Sequence, residues 1–326
     1  MNIDRIRAAA ARLEGHARRT PMLHSPFLDE IAGRRVLIKA ECLQHTGSFK
    51  YRGARAALSA LDDETRARGV LAFSSGNHAQ GVALAAREYG VAAVIIMPAD
   101  APRIKIDNTR AIGAEVVLYD RAGGESREAL GATLKEARRL TLVKPFDDAE
   151  VIAGQGTCGL EIAEQATGFG VREADVLVCC GGGGLTSGIA LALEADAPGL
   201  RVRPVEPVGF DDVNRSLRSG MIETNRATTG SICDAILTPS PGTLTFPILH
   251  RLCSPGLAIR EEETLRAMAL AFERLKLVVE PGGAVALAAA LFRRDDIAGD
   301  AVVCTISGGN VDRAVFERAL STVGSS

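Results

Sequence analysis

The sequence predicts an α/β protein with parallel sheets, built as two open twisted domains around a cleft. Three observations carry that reading. The chain has 326 residues, 47% hydrophobic and 24% charged, which is enough to bury a large core and to divide it between two domains. Short β-branched runs alternate with Ala-rich amphipathic segments. Several of the runs are apolar from end to end, as strands covered on both faces of a parallel sheet are.

Taken in order, MNIDRIRAAAARLEGHARRT carries Asp4 and repeated Arg where an export signal would be apolar, and reads as a surface helix. The strand RRVLIKA precedes the helix YRGARAALSAL, and VLAFSS precedes HAQGVALAAREYG. VAAVIIMP then precedes APRIKIDNTRAIG, and EVVLYD precedes ESREALGATLKEARRL. KPFDDAEVIAGQGT reads as turn-like. The rhythm resumes with DVLVCCGGGG, the helix GLTSGIALALEA, the strand RVRPVEP, and AVVCTISGG before a last helix.

Bulk properties exclude several classes. A net charge of −2 without a basic stripe gives no footprint for nucleic acid. The seven cysteines show no CxxC spacing and lie largely in apolar runs, as in a reduced cytoplasmic protein. The longest apolar stretches, such as residues 90–99, fall short of the ~20 residues that cross a bilayer. No repeat or low-complexity tract is present.

Three strand-to-helix junctions, at 46–53, 74–81 and 181–188, hold residues with chemistry, and such carboxyl ends of strands are where ligands bind in parallel α/β proteins. Gly181, Gly182, Gly183 and Gly184 between an apolar strand and a helix bring backbone N–H groups and a helix start together, an anion cradle. Four glycines exceed what a tight turn needs. The run does not fit G-x-G-x-x-G, since Ser187 stands where the third Gly belongs, but Glu206 imitates an acidic ribose partner and keeps an NAD-dependent oxidoreductase as an alternative. Lys50 in HTGSFKYRGA opens a helix, where the positive end lowers its proton affinity, as Schiff-base chemistry requires. A surface lysine near a turn is the plain alternative. Ser74 to His78 place hydroxyls, an amide and N–H groups at another helix start, either an ordinary N-cap or a carboxylate-binding turn.

The joint order of SFKYRGA, SSGNHAQG, IAGQGT, CGGGGL and SGGN resembles the fold-type II pyridoxal-phosphate enzymes, and within them the threonine dehydratase and serine racemase family. The resemblance runs from RRTP near residue 20 to SGGN at 307–310. SSGNHAQG differs from the TSGNTG-like turn of the cysteine synthases, and SFKYRGA lacks their SxKDR pattern, so elimination is favoured over β-replacement. The resemblance implies a tryptophan synthase β-like fold with the cofactor between the domains. A larger domain would comprise 1–64 and 147–326, with a smaller one, 65–146, inserted.

It further implies Lys50 as the Schiff-base lysine, Phe49 beside the cofactor ring and Asn77 on the ring 3-oxygen. Gly181 to Gly184 with Leu185 would hold the phosphate, and Ser307 would face the pyridine nitrogen. Ser75, Gly76, Asn77 and His78 would receive the substrate carboxylate. Ser75 matches the second base of the racemases, which would make racemisation a side activity. The implied reaction is removal of water from L-threonine or L-serine to give a 2-oxo acid and ammonia, with serine racemase and 3-hydroxyaspartate dehydratase as alternatives. A catalytically silent binding protein on the same fold is a further alternative.

Glu206, the Phe210 carbonyl and Asp212 in EPVGFDD resemble the family's divalent-cation site, suited to magnesium or calcium; two solvated surface acids are the plain alternative. Phe146 in VKPFDD replaces the Asn of the racemases and tilts the reading to dehydratase. Glu280 in VVEPGGAV matches a recurrent family acid near the ring, for which a helix N-terminal carboxylate is also an adequate account. The chain ends soon after SGGN, so the regulatory domain of biosynthetic threonine dehydratases is not expected. The resemblance implies a homo-oligomer, dimer or tetramer.

Overall fold

The computed structural model describes residues 1–74, 76–101, 103–120, 123–227 and 229–323. Helix α1 (Ile3–Leu13) is capped by Asn2, whose side chain accepts the Arg5 N–H, and it buries Ile6, Ala9 and Leu13. Strand β1 (Met22–His24) pairs antiparallel with β2 (Arg35–Ala40), and α2 (Pro26–Ala32) connects them. From β2 the chain passes through two 3-10 turns, Glu41–Leu43 and His45–Gly47, into α3 (Lys50–Ser59).

After α4 (Asp63–Ala67), the predicted alternation forms the smaller sheet: β3 (Val70–Phe73), α5 (Asn77–Glu88), β4 (Ala93–Pro98), α6 (Arg103–Ala111), β5 (Glu115–Tyr119), α7 (Arg127–Arg138) and β6 (Thr141–Leu142). Its order is β5-β4-β3-β6 and all pairs are parallel. β4 is buried along its whole length, as its unbroken apolar run requires.

The larger sheet takes its remaining strands from the rest of the chain. These elements are α8 (Ala149–Gly168), β7 (Ala174–Cys179), α9 (Gly184–Asp196), β8 (Leu200–Pro207), α10 (Asp212–Ser219), α11 (Thr245–Leu252), β9 (Leu257–Ile259), α12 (Glu261–Leu275), α13 (Pro281–Phe292), β10 (Ala301–Ile306) and α14 (Arg313–Leu320). The order is β1-β2-β10-β7-β8-β9, parallel apart from the β1 edge. α13 reads PGGAVALAAALF, apolar on every side, and it is correspondingly buried on every side against the sheet. The opposite face packs on α8 and α9 through Cys158, Ile162, Ile189 and Leu193.

One segment departs from expectation. KPFDDAEVIAGQGT is only partly a turn: its second half begins the 20-residue α8, because Asp148 accepts the N–H groups of Glu150 and Val151 and caps it. Glycines that read as turn residues are instead contact points, since a Cβ on Gly156 would stand 3.0 Å from the Gly188 carbonyl of α9. Among the described residues no helix is long and apolar enough to cross a membrane, and all seven cysteines are free thiols.

Candidate active site

The carboxyl ends of β3 and β7 and the start of α3 face one cavity of about 510 Å³, within the range of small-molecule sites. It gathers Phe49, Lys50, Gly76, Asn77, His78, Gly181 to Gly184 and Leu185 from among the residues singled out in the sequence. Ser75 lies outside the described residues. Ser307 follows β10 behind the wall, buried, and its carbonyl accepts the Phe49 N–H at 3.1 Å.

Lys50 is the first residue of α3. Its Nζ donates to the Pro145 carbonyl at 2.8 Å and stands 5.1 Å from the centre of the Phe49 ring. Burial pulls its pKa down to about 8, opposed by the negative charge of Glu280. The direction matches the sequence expectation, with desolvation as its leading cause.

The glycine run is a cradle closed by packing. Gly183 has φ 91° and caps α9, a conformation costly for other residues. A Cβ on Gly182 would collide with the Phe146 ring, and one on Gly183 would lie 2.7 Å from Leu249. The first N–H groups of α9 have no carbonyl within the helix to receive them. Beside them Thr186 Oγ1 is buried and lacks a hydrogen-bond partner. A helix start, glycines without side chains and an orphaned hydroxyl fit a phosphate group. Thr186 was missed in the sequence; its position directly after GGGGL is the signal that could have found it.

Asn77 begins α5. Its Nδ2 donates to Glu280 Oε1 at 2.6 Å, and its Oδ1 accepts from Asn310 Nδ2 at 2.7 Å. Burial raises the Glu280 carboxyl to about 7. His78 Nε2 donates to the Val143 carbonyl at 2.9 Å, which leaves Nδ1 unprotonated. Burial, reinforced by nearby Lys50, holds its pKa at about 3, so the imidazole is neutral and can serve an anion only through its backbone N–H.

Two cations in the wall were also missed. Lys105 of α6 donates to Asp234 Oδ2 at 2.7 Å, and Arg127 opens α7, paired at 2.6 Å with its neighbour Glu128. Arg127 in ESREAL and Lys105 in RIKID look in sequence like ordinary helix-surface charges.

Glu206, Phe210 and Asp212 stand apart from the cavity. Both Glu206 oxygens accept N–H groups at the start of α10, from Val213 at 2.9 Å and Asn214 at 2.8 Å. The side chain is wholly buried, so it cannot meet a ribose in the cleft, and the dinucleotide alternative fails there. The plain alternative of two solvated acids fails as well, since Asp212 is also wholly buried. Asp212 accepts one hydrogen bond from Asn225, while its Oδ2 has no partner. Burial and mutual repulsion push the Glu206 carboxyl well above the usual range, and burial raises Asp212 to about 7. Among the described residues no three His, Cys, Asp or Glu side chains cluster as a metal site, so a cation here would need the Phe210 carbonyl as well.

A half-buried lysine lining the same cavity as a glycine cradle defines an α/β enzyme built around a phosphorylated carbonyl cofactor. The family model of pyridoxal-phosphate dependent enzymes matches residues 13–308, and the chain belongs to that family. It is 45% identical over 304 residues to an L-threo-3-hydroxyaspartate ammonia-lyase of Pseudomonas sp, covering 93% of each chain. It is 39% identical to a serine racemase of Oryza sativa subsp. indica, covering 98% of this chain and 94% of that one. The crystal structure of a T.th. threonine deaminase superposes with a TM-score of 0.90 at 45% identity, covering 96% of this chain and 99% of that chain. The fold is therefore fold-type II, and the chain is an enzyme of the pyridoxal-phosphate ammonia-lyase and racemase family.

Proposed function

We propose that this chain is an ammonia-lyase that removes water from a small β-hydroxy amino acid and releases a 2-oxo acid and ammonia. The observation that carries the reading is the half-buried Lys50 amine, with its lowered pKa, in the same cavity as the glycine cradle. With a larger domain of 1–64 and 147–326 and a smaller one of 65–146, as expected from the sequence, that cavity would lie between the two.

Pyridoxal phosphate, when bound, supplies a carbonyl that captures the substrate amine and a ring that accepts the electron pair left at Cα. Gly181 to Gly184, Leu185 and the Thr186 hydroxyl hold its phosphate. Phe49 and Phe146 would wall its ring and Asn77 would donate to its 3-oxygen, while Ser307 would have to reach its pyridine nitrogen from behind the wall. Lys50 would anchor the cofactor through its amine, and the same amine, when free, would be the base that takes the Cα proton. The backbone N–H groups from Gly76 to His78, at the start of α5, would receive the α-carboxylate; Ser75, expected to share this role, lies outside the described residues. Returned by Lys50 to the departing β-hydroxyl, that proton would let it leave as water, and the unsaturated amine that remains would take up water to give the 2-oxo acid and ammonia. A divalent cation, magnesium or calcium, would be held by Glu206, the Phe210 carbonyl and the unpartnered Asp212 Oδ2, and would offset the two buried carboxylates at the start of α10.

Within this class, Lys105 and Arg127 in the cavity wall favour L-threo-3-hydroxyaspartate over L-threonine and L-serine, because a second carboxylate needs a cationic partner, which each would supply by exchanging or sharing its present partner, Asp234 or Glu128. The named activity of the Pseudomonas relative agrees with that choice. The test is absorbance with pyridoxal phosphate before and after borohydride, followed by 2-oxo acid release from the three substrates. A chain that takes up no cofactor would overturn the reading. Arg127→Ala is expected to lower kcat/KM on 3-hydroxyaspartate by about 10- to 100-fold, the size of one charge-assisted hydrogen bond, and on L-serine by less than about threefold. Equal losses on both would refute the acidic preference.

A further inference from the structure

We propose that Asn310, the last residue of SGGN, is a positioning residue that fixes which way the Asn77 amide faces the cleft. Resting on the reading of Asn77 as partner of the cofactor's 3-oxygen, the inference starts from hydrogen-bond polarity. Asn310 Nδ2 donates to the Thr46 carbonyl at 2.8 Å and to Asn77 Oδ1 at 2.7 Å. An oxygen in the place of that nitrogen would face two oxygens, so the orientation of the Asn310 amide is determined.

The consequence passes to Asn77. With its Oδ1 taken, its NH₂ is turned toward Glu280, where one N–H goes to Oε1 at 2.6 Å. The second N–H is what remains for the cleft. Were the Asn77 amide reversed, its oxygen would meet a carboxylate on one side and its NH₂ would meet an NH₂ on the other. Four chain segments converge on this relay: the turn before Lys50, the start of α5, the residue before α13, and the loop after β10. Thr46 holds a left-handed φ of 57°, and its carbonyl is the one Asn310 binds. Gly47 is left-handed too, and a Cβ there would come within 2.8 Å of Asn310 Oδ1. A Cβ on Gly308 would collide with Glu280 Oε1, so the glycines of this loop leave room for the relay.

The test uses holoenzyme with Asn310→Ala and the isosteric Asn310→Asp, which puts an acceptor against Asn77 Oδ1 and drives that amide to turn over. Measured are the visible absorbance maximum, the pyridoxal phosphate concentration for half reconstitution, and kcat and KM separately. Asn310→Ala is expected to raise the half-reconstitution concentration about fivefold to tenfold, to shift the visible band and to lower kcat with KM within about twofold. Asn310→Asp is expected to do so more strongly. Variants that lose thermal stability but keep the band and the cofactor concentration of the wild type would overturn the proposal and leave Asn310 a packing residue. A wild-type chain that takes up no pyridoxal phosphate would overturn the functional reading itself, and the role of Asn310 with it.

Discussion

At the scale of single residues, Lys50 links stability to chemistry. Its charged form is disfavoured by burial, so the folded protein binds its proton only below about pH 8, whereas the unfolded chain binds it up to about 10.5. A depressed base contributes its full stability above the unfolded pKa and loses it as pH falls through the folded one. The cost at neutral pH is on the order of 3 kcal/mol. Lys50→Met in cofactor-free protein is therefore expected to raise the denaturant midpoint at pH 7, with the gain shrinking as pH rises from 8 to 10.5. Denaturation curves at pH 7, 9 and 10.5 check this. A gain that did not change with pH would assign the effect to packing alone.

At the scale of elements, the crossing of α8 on α9 sets the cradle. A Cβ on Gly188 would stand 2.5 Å from the Gly156 nitrogen, backbone against backbone, with no flexible side chain to move aside. Because α9 begins in the glycine run, pushing the helices apart moves the cradle as well. Gly188→Ala is expected to cost about 3 kcal/mol and to weaken pyridoxal phosphate retention. Gly168→Ala, at the open end of α8 with nothing within 4 Å of the added atom, should be neutral or stabilising by roughly 0.5–1 kcal/mol. Urea denaturation of the pair separates steric crowding from loss of glycine. This crossing also explains the misread segment. The glycines of IAGQGT carry no local mark distinguishing a turn from a close helix contact, and the partner helix lies some thirty residues on.

At the scale of the whole molecule, a buried charge network joins the helix of Lys50 to the rest of the fold. Arg52 Nε and Nη2 donate to Glu41 at 2.8 Å, and Nη1 donates to Glu161 at 2.6 Å. Lys39 reaches Glu161 Oε2 at 2.5 Å and the Thr20 carbonyl at 2.7 Å. The network ties the N-terminal segment, β2 and the turn after it, α3 and α8 together beside the cleft. Burial raises the Glu41 carboxyl and the charge of Arg52 lowers it, with a net fall. Arg52→Met leaves Glu41 buried against a thioether and is expected to cost about 3–5 kcal/mol. Guanidinium denaturation checks it, and a loss below about 1 kcal/mol would show that the network contributes no stability.

The sequence by itself determined the alternation of strands and helices, the glycine cradle and the order of the motifs. Those properties are written in local periodicity and in residues such as Gly183, whose backbone conformation few others adopt. It also marked Lys50 and Asn77 as chemically unusual. Only the tertiary structure decided why the Lys50 pKa falls, since burial is a sum over neighbours from distant segments. It decided that Glu206 and Asp212 are buried rather than solvated, and that Lys105 and Arg127, surface-like in their helices, stand in the cavity wall. It also set the direction of the Asn77 amide, through a partner 233 residues away. Pattern along a chain encodes which face of an element is buried, whereas the polarity and charge a side chain meets there come from contacts that no local pattern contains.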